Sequence, residues 1–208
     1  CQIFLVPMVD PDGVDLVTGG IAQGSIQWEQ AKRLSNNCPS IPFPNGWKAN
    51  LLGVDLNLQY PAGWLQAREI KFSQGYTRPG PRDYVGKAPL TQRESRALAD
   101  FTNYLDPALI LAYHTQGEQI YWKYDDIDVP GALAMGQEFA RLSGYSLEET
   151  PYASGFAGYK DWFIKVWRRP GFTIEAGLGE NPLPISQFDT IYAKNLGILT
   201  TAALGLPA

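Results

Sequence analysis

The stretch Ala108-Leu109-Ile110-Leu111-Ala112-Tyr113-His114-Thr115-Gln116-Gly117 sets the reading of the chain. Ala108 to Tyr113 is an unbroken apolar run, short enough for a strand buried on both faces, and it delivers His114 to the point where strand becomes loop. Working outward, Gln119 to Trp122 is a second short β-like segment able to pair nearby. Phe172-Thr173-Ile174 is a third, with Glu175 at its mouth before Ala176-Gly177. Gln2 to Val9 reads as a further buried strand closed by Asp10-Pro11-Asp12-Gly13. Helical periodicity fills the intervals. Thr91-Gln92-Arg93-Glu94 has the capping-box pattern, Leu98, Phe101 and Leu105 follow at helical spacing, and Pro107 ends the segment, which predicts a helix over Thr91 to Tyr104. Pro130 followed by Ala132, Met135, Phe139 and Leu142 predicts a second, closed near Gly144. Phe188, Ile191, Leu196 and Leu199 give an apolar face to a third over Ser186 to Ala203.

Strands alternating with helices imply an α/β fold, a three-layer domain with a mixed, largely buried sheet flanked by helices. In such sheets ligands gather beyond strand ends. Asp10 to Pro44 is rich in Gly, Pro, Ser and Asn with one helical segment, Ser25 to Leu34, and reads as a long surface excursion that lines a cleft. Gly-Val-Asp-Leu occurs twice, at Gly13 and Gly53, without longer similarity, so no repeat architecture follows.

The 208 residues fit one domain, 1–208, and 45% hydrophobic against 18% charged residues excludes a disordered chain. A net charge of -4 without a basic block argues against nucleic acid as a partner. No apolar run approaches the roughly 20 residues of a membrane span. The chain reads as a soluble protein, cytoplasmic or secreted. Two cysteines, Cys1 and Cys38, supply neither a disulfide framework nor a Cys-rich metal site.

Several polar residues stand where chemistry is possible. His114 is the only histidine and a potential metal ligand, though one imidazole makes no site by itself. Glu175, at the end of an apolar strand beside flexible backbone, suits a proton shuttle, or else a pairing with Arg168, Arg169 or a backbone amide. Asn57 offers an amide to a substrate carbonyl or carboxylate, or closes an Asx-turn. Lys48 beside Trp47 is a potential electrophile. Tyr152 and Tyr159 flank Ala153-Ser154-Gly155, and either is able to close over a substrate; Trp162, Phe163 and Trp167 read as core.

The order of the segments Val6-Pro7-Met8-Val9-Asp10-Pro11-Asp12-Gly13, Trp47-Lys48-Ala49-Asn50, Gly53-Val54-Asp55-Leu56-Asn57, Tyr113-His114-Thr115-Gln116-Gly117, Tyr159-Lys160-Asp161-Trp162 and Thr173-Ile174-Glu175-Ala176-Gly177 resembles the zinc carboxypeptidase family. Within it the chain is similar to the bacterial branch that cleaves γ-D-glutamyl-diamino-acid bonds in cell-wall peptides. The resemblance covers nearly the whole chain. It implies one zinc ion with His114 as third ligand, Glu175 as general base, and Lys48 as counterpart of the cation that stabilises the oxyanion, where relatives more often carry Arg. It makes Tyr152 or Tyr159 the substrate-closing tyrosine. Lys160, at the family's specificity pocket, is a receiver for a substrate carboxylate, or simply a solvent-exposed lysine.

Departures from the family pattern bear on activity and specificity. The first two zinc ligands of the family come from a His-x-x-Glu motif that has no counterpart here, so two of three ligands are absent from this chain. The resemblance thus implies an N-terminally truncated, C-terminal portion of a catalytic domain, inactive alone and prone to self-association through exposed sheet edge. Where true carboxypeptidases follow the matching Asn with an Arg, Asn57 is followed by Leu58, which binds no anion and argues against C-terminal exopeptidase action. The alternative is a non-catalytic binder of peptides or murein fragments that keeps the cleft without the metal.

Overall fold

The structure, a computed structural model, describes residues 1–205. Two compact units share them: Val6–Asp106 with Tyr152–Tyr159, and Cys1–Leu5 with Pro107–Pro151 and Lys160 onward.

The first unit is helical. Helix α1 (Pro11–Thr18) begins with proline in its first turn, is capped by the Asp10 carboxylate accepting from the Gly13 N–H at 3.1 Å, and ends at Gly19 in the left-handed region. Asp-Pro-Asp-Gly therefore opens a helix within what reads as a surface excursion. Helix α2 (Ile26–Ser35) is capped by Ser25. Leu16, Ala31, Trp47 and Ala49 form one core, joined by Trp28 and Phe43. A 3-10 turn at Leu56–Leu58 precedes α3 (Trp64–Ser73) and α4 (Arg93–Leu105). A second core gathers Leu58, Ala67, Val85 and Ala157, so Leu58 is a packing residue.

Helix α4 lies close to its expected range, but the Thr91 capping box does not form. Its N-cap is Gln92, without a side-chain cap bond, and the Thr91 hydroxyl meets Gln59 Oε1 and Ala88 O. The buried Gln59 amide does the capping from a distance: Oε1 accepts the N–H groups of Thr91 and Gln92, while Nε2 donates to Val85 O and Ala88 O. A tertiary acceptor replaces the local one.

The second unit holds a four-stranded mixed sheet in the order β1 (Ile110–His114), β4 (Gly171–Glu175), β2 (Gln119–Tyr121), β3 (Ser146–Glu148). β4 runs parallel to β1 and antiparallel to β2, and β3 is parallel to β2. One face carries Ile120, Phe172 and Ile174, packed with Phe139 of α5 (Ala132–Ser143) and Ile198 of α7 (Phe188–Leu204). On the opposite face α6 (Tyr159–Trp167) covers the start of the strands, where a Cβ on Gly171 would meet Phe163 and Ile164. Helices on both faces of a mixed sheet give the expected three layers.

One expected strand is absent. Gln2 to Val9 is irregular, and its apolar side chains are exposed, Leu5 at 79%. Apolar composition says that a segment seeks burial; a strand also needs a neighbour to take its N–H and C=O groups, and the four-stranded sheet does not include this segment.

Candidate active site

The register of the sheet builds the site. His114 of β1 stands directly opposite Glu175 of β4, and Glu175 stands opposite Gln119 of β2. Neighbouring strands lie about 4.8 Å apart and opposed residues share a face. An imidazole, a carboxylate and a carboxamide thus form one row across the C-terminal ends of the parallel pair β1 and β4, where α/β sheets present ligand sites. Two residues back, and so on the same face, Ala112, Thr173, Tyr121 and Glu148 make a second row. The rim is tied down: Ala176 N–H donates to His114 O at 2.8 Å, Gly117 N–H to Gly177 O at 2.8 Å, and the Asn181 amide to Thr115 O at 3.1 Å. His114 and Glu175 are both half-buried, open to a ligand yet seated on rigid strands.

Lys160 is buried, with 4% exposure, which removes the solvent-exposed alternative. Its ammonium meets Asp161 Oδ1 at 2.7 Å, Lys123 O at 2.6 Å and Thr150 Oγ1 at 3.3 Å. Two hydrogen bonds and an ion pair thus hold the ammonium, so a substrate carboxylate would have to displace one of these partners.

The remaining residues belong to the helical unit. Asn57 sits in the 3-10 turn; its backbone N–H donates to Asp55 Oδ1 at 3.2 Å, and its own Oδ1 accepts from Tyr159 N–H at 3.2 Å. The Asx-turn is therefore made by Asp55, and the amide oxygen of Asn57 is engaged by Tyr159. Burial and the neighbouring Asp83 carboxylate hold Asp55 above its ordinary pKa. Asp83 itself lies below the usual carboxylate range: burial pushes it up, but Lys71 at 2.6 Å and Arg82 at 2.7 Å outweigh that. Trp47 and Ala49 are buried while Lys48 between them is exposed. Tyr159 packs at a tilt against Tyr60 with ring centroids 5.3 Å apart, and its hydroxyl meets Thr102 Oγ1 at 2.8 Å. Tyr152 is 74% exposed on a 3-10 turn, edge-on to Phe156. The structure thus brings His114 to Glu175, and Asn57 to Tyr159. Gln119, Tyr121, Thr173 and Glu148 escape a sequence reading; alternation along β4 marks Thr173, but the others follow only from strand order.

A family profile described as zinc carboxypeptidase matches residues 1–196. The chain belongs to that family. It is 50% identical over 196 residues to a Lysinibacillus sphaericus protein named gamma-D-glutamyl-L-diamino acid endopeptidase 1, covering 94% of this chain and 47% of that protein. It is 41% identical over 201 residues to the uncharacterized protein YqgT of Bacillus subtilis (strain 168), covering 97% of this chain and 52% of that one. The chain spans about half the length of these curated relatives. Among solved structures, carboxypeptidase A from Helicoverpa armigera superposes with a TM-score of 0.65 at 18% identity over 96% of this chain and 50% of that chain. Thrombin activatable fibrinolysis inhibitor does so with 0.56 at 17% identity over 73% of this chain and 41% of that chain. These likenesses establish the fold.

The family implies zinc, and the donors present answer only part of that demand. His114 contributes one imidazole, and among the described residues no group of three His, Cys, Asp or Glu side chains is arranged to hold a metal ion. A catalytic zinc needs three protein ligands, so these residues do not make a zinc site by themselves. No helix among the described residues is long and apolar enough to cross a membrane.

Proposed function

We propose that the protein of which these residues form part is a metallopeptidase that hydrolyses the amide bond between γ-D-glutamate and a diamino acid, meso-diaminopimelate, in bacterial cell-wall peptides. The observation that carries this reading is the pairing of His114 with Glu175 on adjacent strands, in a chain half identical to a protein named for that bond. Glu175 is the general base: its carboxylate takes a proton from the attacking water and returns it to the leaving amine, chemistry worth about a hundredfold or more in rate. Lys48 balances the negative charge that grows on the carbonyl oxygen. Asn57, its amide oxygen occupied, donates N–H to a substrate oxygen. Tyr152, exposed where Tyr159 is pinned, closes on the substrate. Lys160 orders the substrate pocket and accepts a carboxylate only in exchange for a present partner. His114 is one metal donor, the others coming from outside these 208 residues, and both compact units belong to one catalytic domain, a reading supported by the single profile match over residues 1–196.

The test is hydrolysis of a γ-D-glutamyl-diaminopimelyl peptide by the full-length gene product. Glu175→Gln should lower kcat by about a hundredfold or more while bound zinc, measured by atomic absorption, is unchanged. His114→Ala should lower bound zinc. Unchanged turnover in Glu175→Gln removes the carboxylate from the mechanism. The incomplete donor set favours one other reading, a non-catalytic binder of murein peptides; a full-length protein that binds such peptides but no zinc would establish it.

A further inference from the structure

The second row of the site face is an acceptor surface. The Tyr121 hydroxyl donates its only proton to Gln119 Oε1 at 2.8 Å, so its remaining hydrogen-bonding capacity is lone pairs. Glu148, its register partner on β3, is exposed. The phenol senses both carboxylates around it: burial first, then Glu175 and Glu148, raise its pKa above the usual tyrosine value. From Glu175 to Glu148 the path crosses two strand spacings and one two-residue step, roughly 12 Å between Cα atoms, on one side of the sheet. Lys194, Lys123 and Lys160 are paired with Glu118, Glu149 and Asp161. A carboxylate crossing this surface lies between the like charges of Glu175 and Glu148, whereas an aliphatic chain ending in an ammonium finds the Tyr121 lone pairs and a carboxylate.

We propose that Glu148 and Tyr121 are specificity-determining residues that receive the distal ammonium of the diamino acid, with Gln119 as the positioning residue that fixes the Tyr121 hydroxyl. The inference rests on the peptidase reading above and adds the reason why a second amine is demanded: the ammonium of the departing residue pairs with Glu148 and with the phenolic oxygen, holding the scissile amide beside Glu175. A charge-assisted contact of this kind is strong enough to set selectivity.

The experiment compares γ-D-glutamyl-L-lysine with γ-D-glutamyl-L-norleucine, of nearly equal length but without the amine, on the full-length protein. Glu148→Gln should reduce the lysyl over norleucyl ratio of kcat/KM by about tenfold and leave the norleucyl value within about twofold. Tyr121→Phe should reduce the ratio less, and Gln119→Leu should act like Tyr121→Phe, with restoration in Gln119→Glu, which keeps an acceptor for the hydroxyl. A wild-type ratio near one, or a ratio indifferent to Glu148→Gln, overturns the proposal. Calorimetric binding of the two peptides to Glu175→Gln protein separates it from the peptidase reading. Loss of lysyl preference on adding Glu148→Gln upholds recognition even where no turnover occurs, and equal binding of both peptides refutes it even where turnover is fast.

Discussion

At the scale of single residues, Gln59 has the largest structural burden. Its side chain, fully buried, holds two carbonyls and two backbone N–H groups and so joins the 3-10 turn that carries Asn57 to the start of α4. Gln59→Leu conserves volume but leaves those groups without partners, and buried orphaned groups cost about 1–3 kcal/mol each. We expect a loss of about 3 kcal/mol, read as a lowered urea midpoint with unchanged slope. In sequence Gln59 is simply the residue after Leu58; nothing local distinguishes it from a surface glutamine, because its value lies in groups some 30 positions away. His114 and Glu175 were legible for the opposite reason. A polar residue closing an unbroken apolar strand announces its position from its own neighbours, although their meeting depends on strand order, which no local pattern contains.

At the scale of elements, local signals succeed where they have no competitor. β1, β4, α5 and α7 follow from apolar runs, periodicity and the Gly144 stop. The capping box of α4 fails because Gln59 outcompetes Thr91, and the strand expected at Gln2 to Val9 fails for want of a ladder partner. Helix α1 was hidden because Pro11 and Gly13 resemble a turn until the Asp10 cap is seen. That cap makes a pH-dependent prediction. Burial, reinforced by the carboxylates of Glu94, Asp12 and Asp55, raises the Asp10 pKa from 3.8 to about 7, against a smaller lowering by its bond from Gly13. The folded state therefore binds a proton that the unfolded state has released between about pH 4 and 7, and stability falls as pH rises through that window. Asp10→Asn keeps the acceptor and discards the charge. It should stabilise the protein at pH 8, by about 2 kcal/mol for a site partly in water, with the gain vanishing near pH 4 in denaturant titrations.

At the scale of the whole molecule, the expected α/β layering holds, and the exposed apolar tract is where the chain departs from a self-sufficient surface. Ile3, Phe4, Leu5, Val6, Met8 and Val9 are all exposed, a contiguous apolar stretch of the kind that promotes association. Light scattering on the 208-residue chain should give a mass that rises with concentration, and Phe4→Lys with Leu5→Lys should return it toward the monomer; a concentration-independent monomer in the unaltered chain refutes this. The strand order has a consequence for biogenesis. β4, last of the four to leave the ribosome, inserts between β1 and β2, which are near neighbours in sequence but not in the sheet. Until it arrives, β1 lacks its ladder partner and the sheet does not hold His114 near Gln119. Glu175 thus travels on the same segment that closes the sheet, so a nascent or C-terminally clipped chain without β4 lacks the His114–Glu175 pairing as well as the finished architecture.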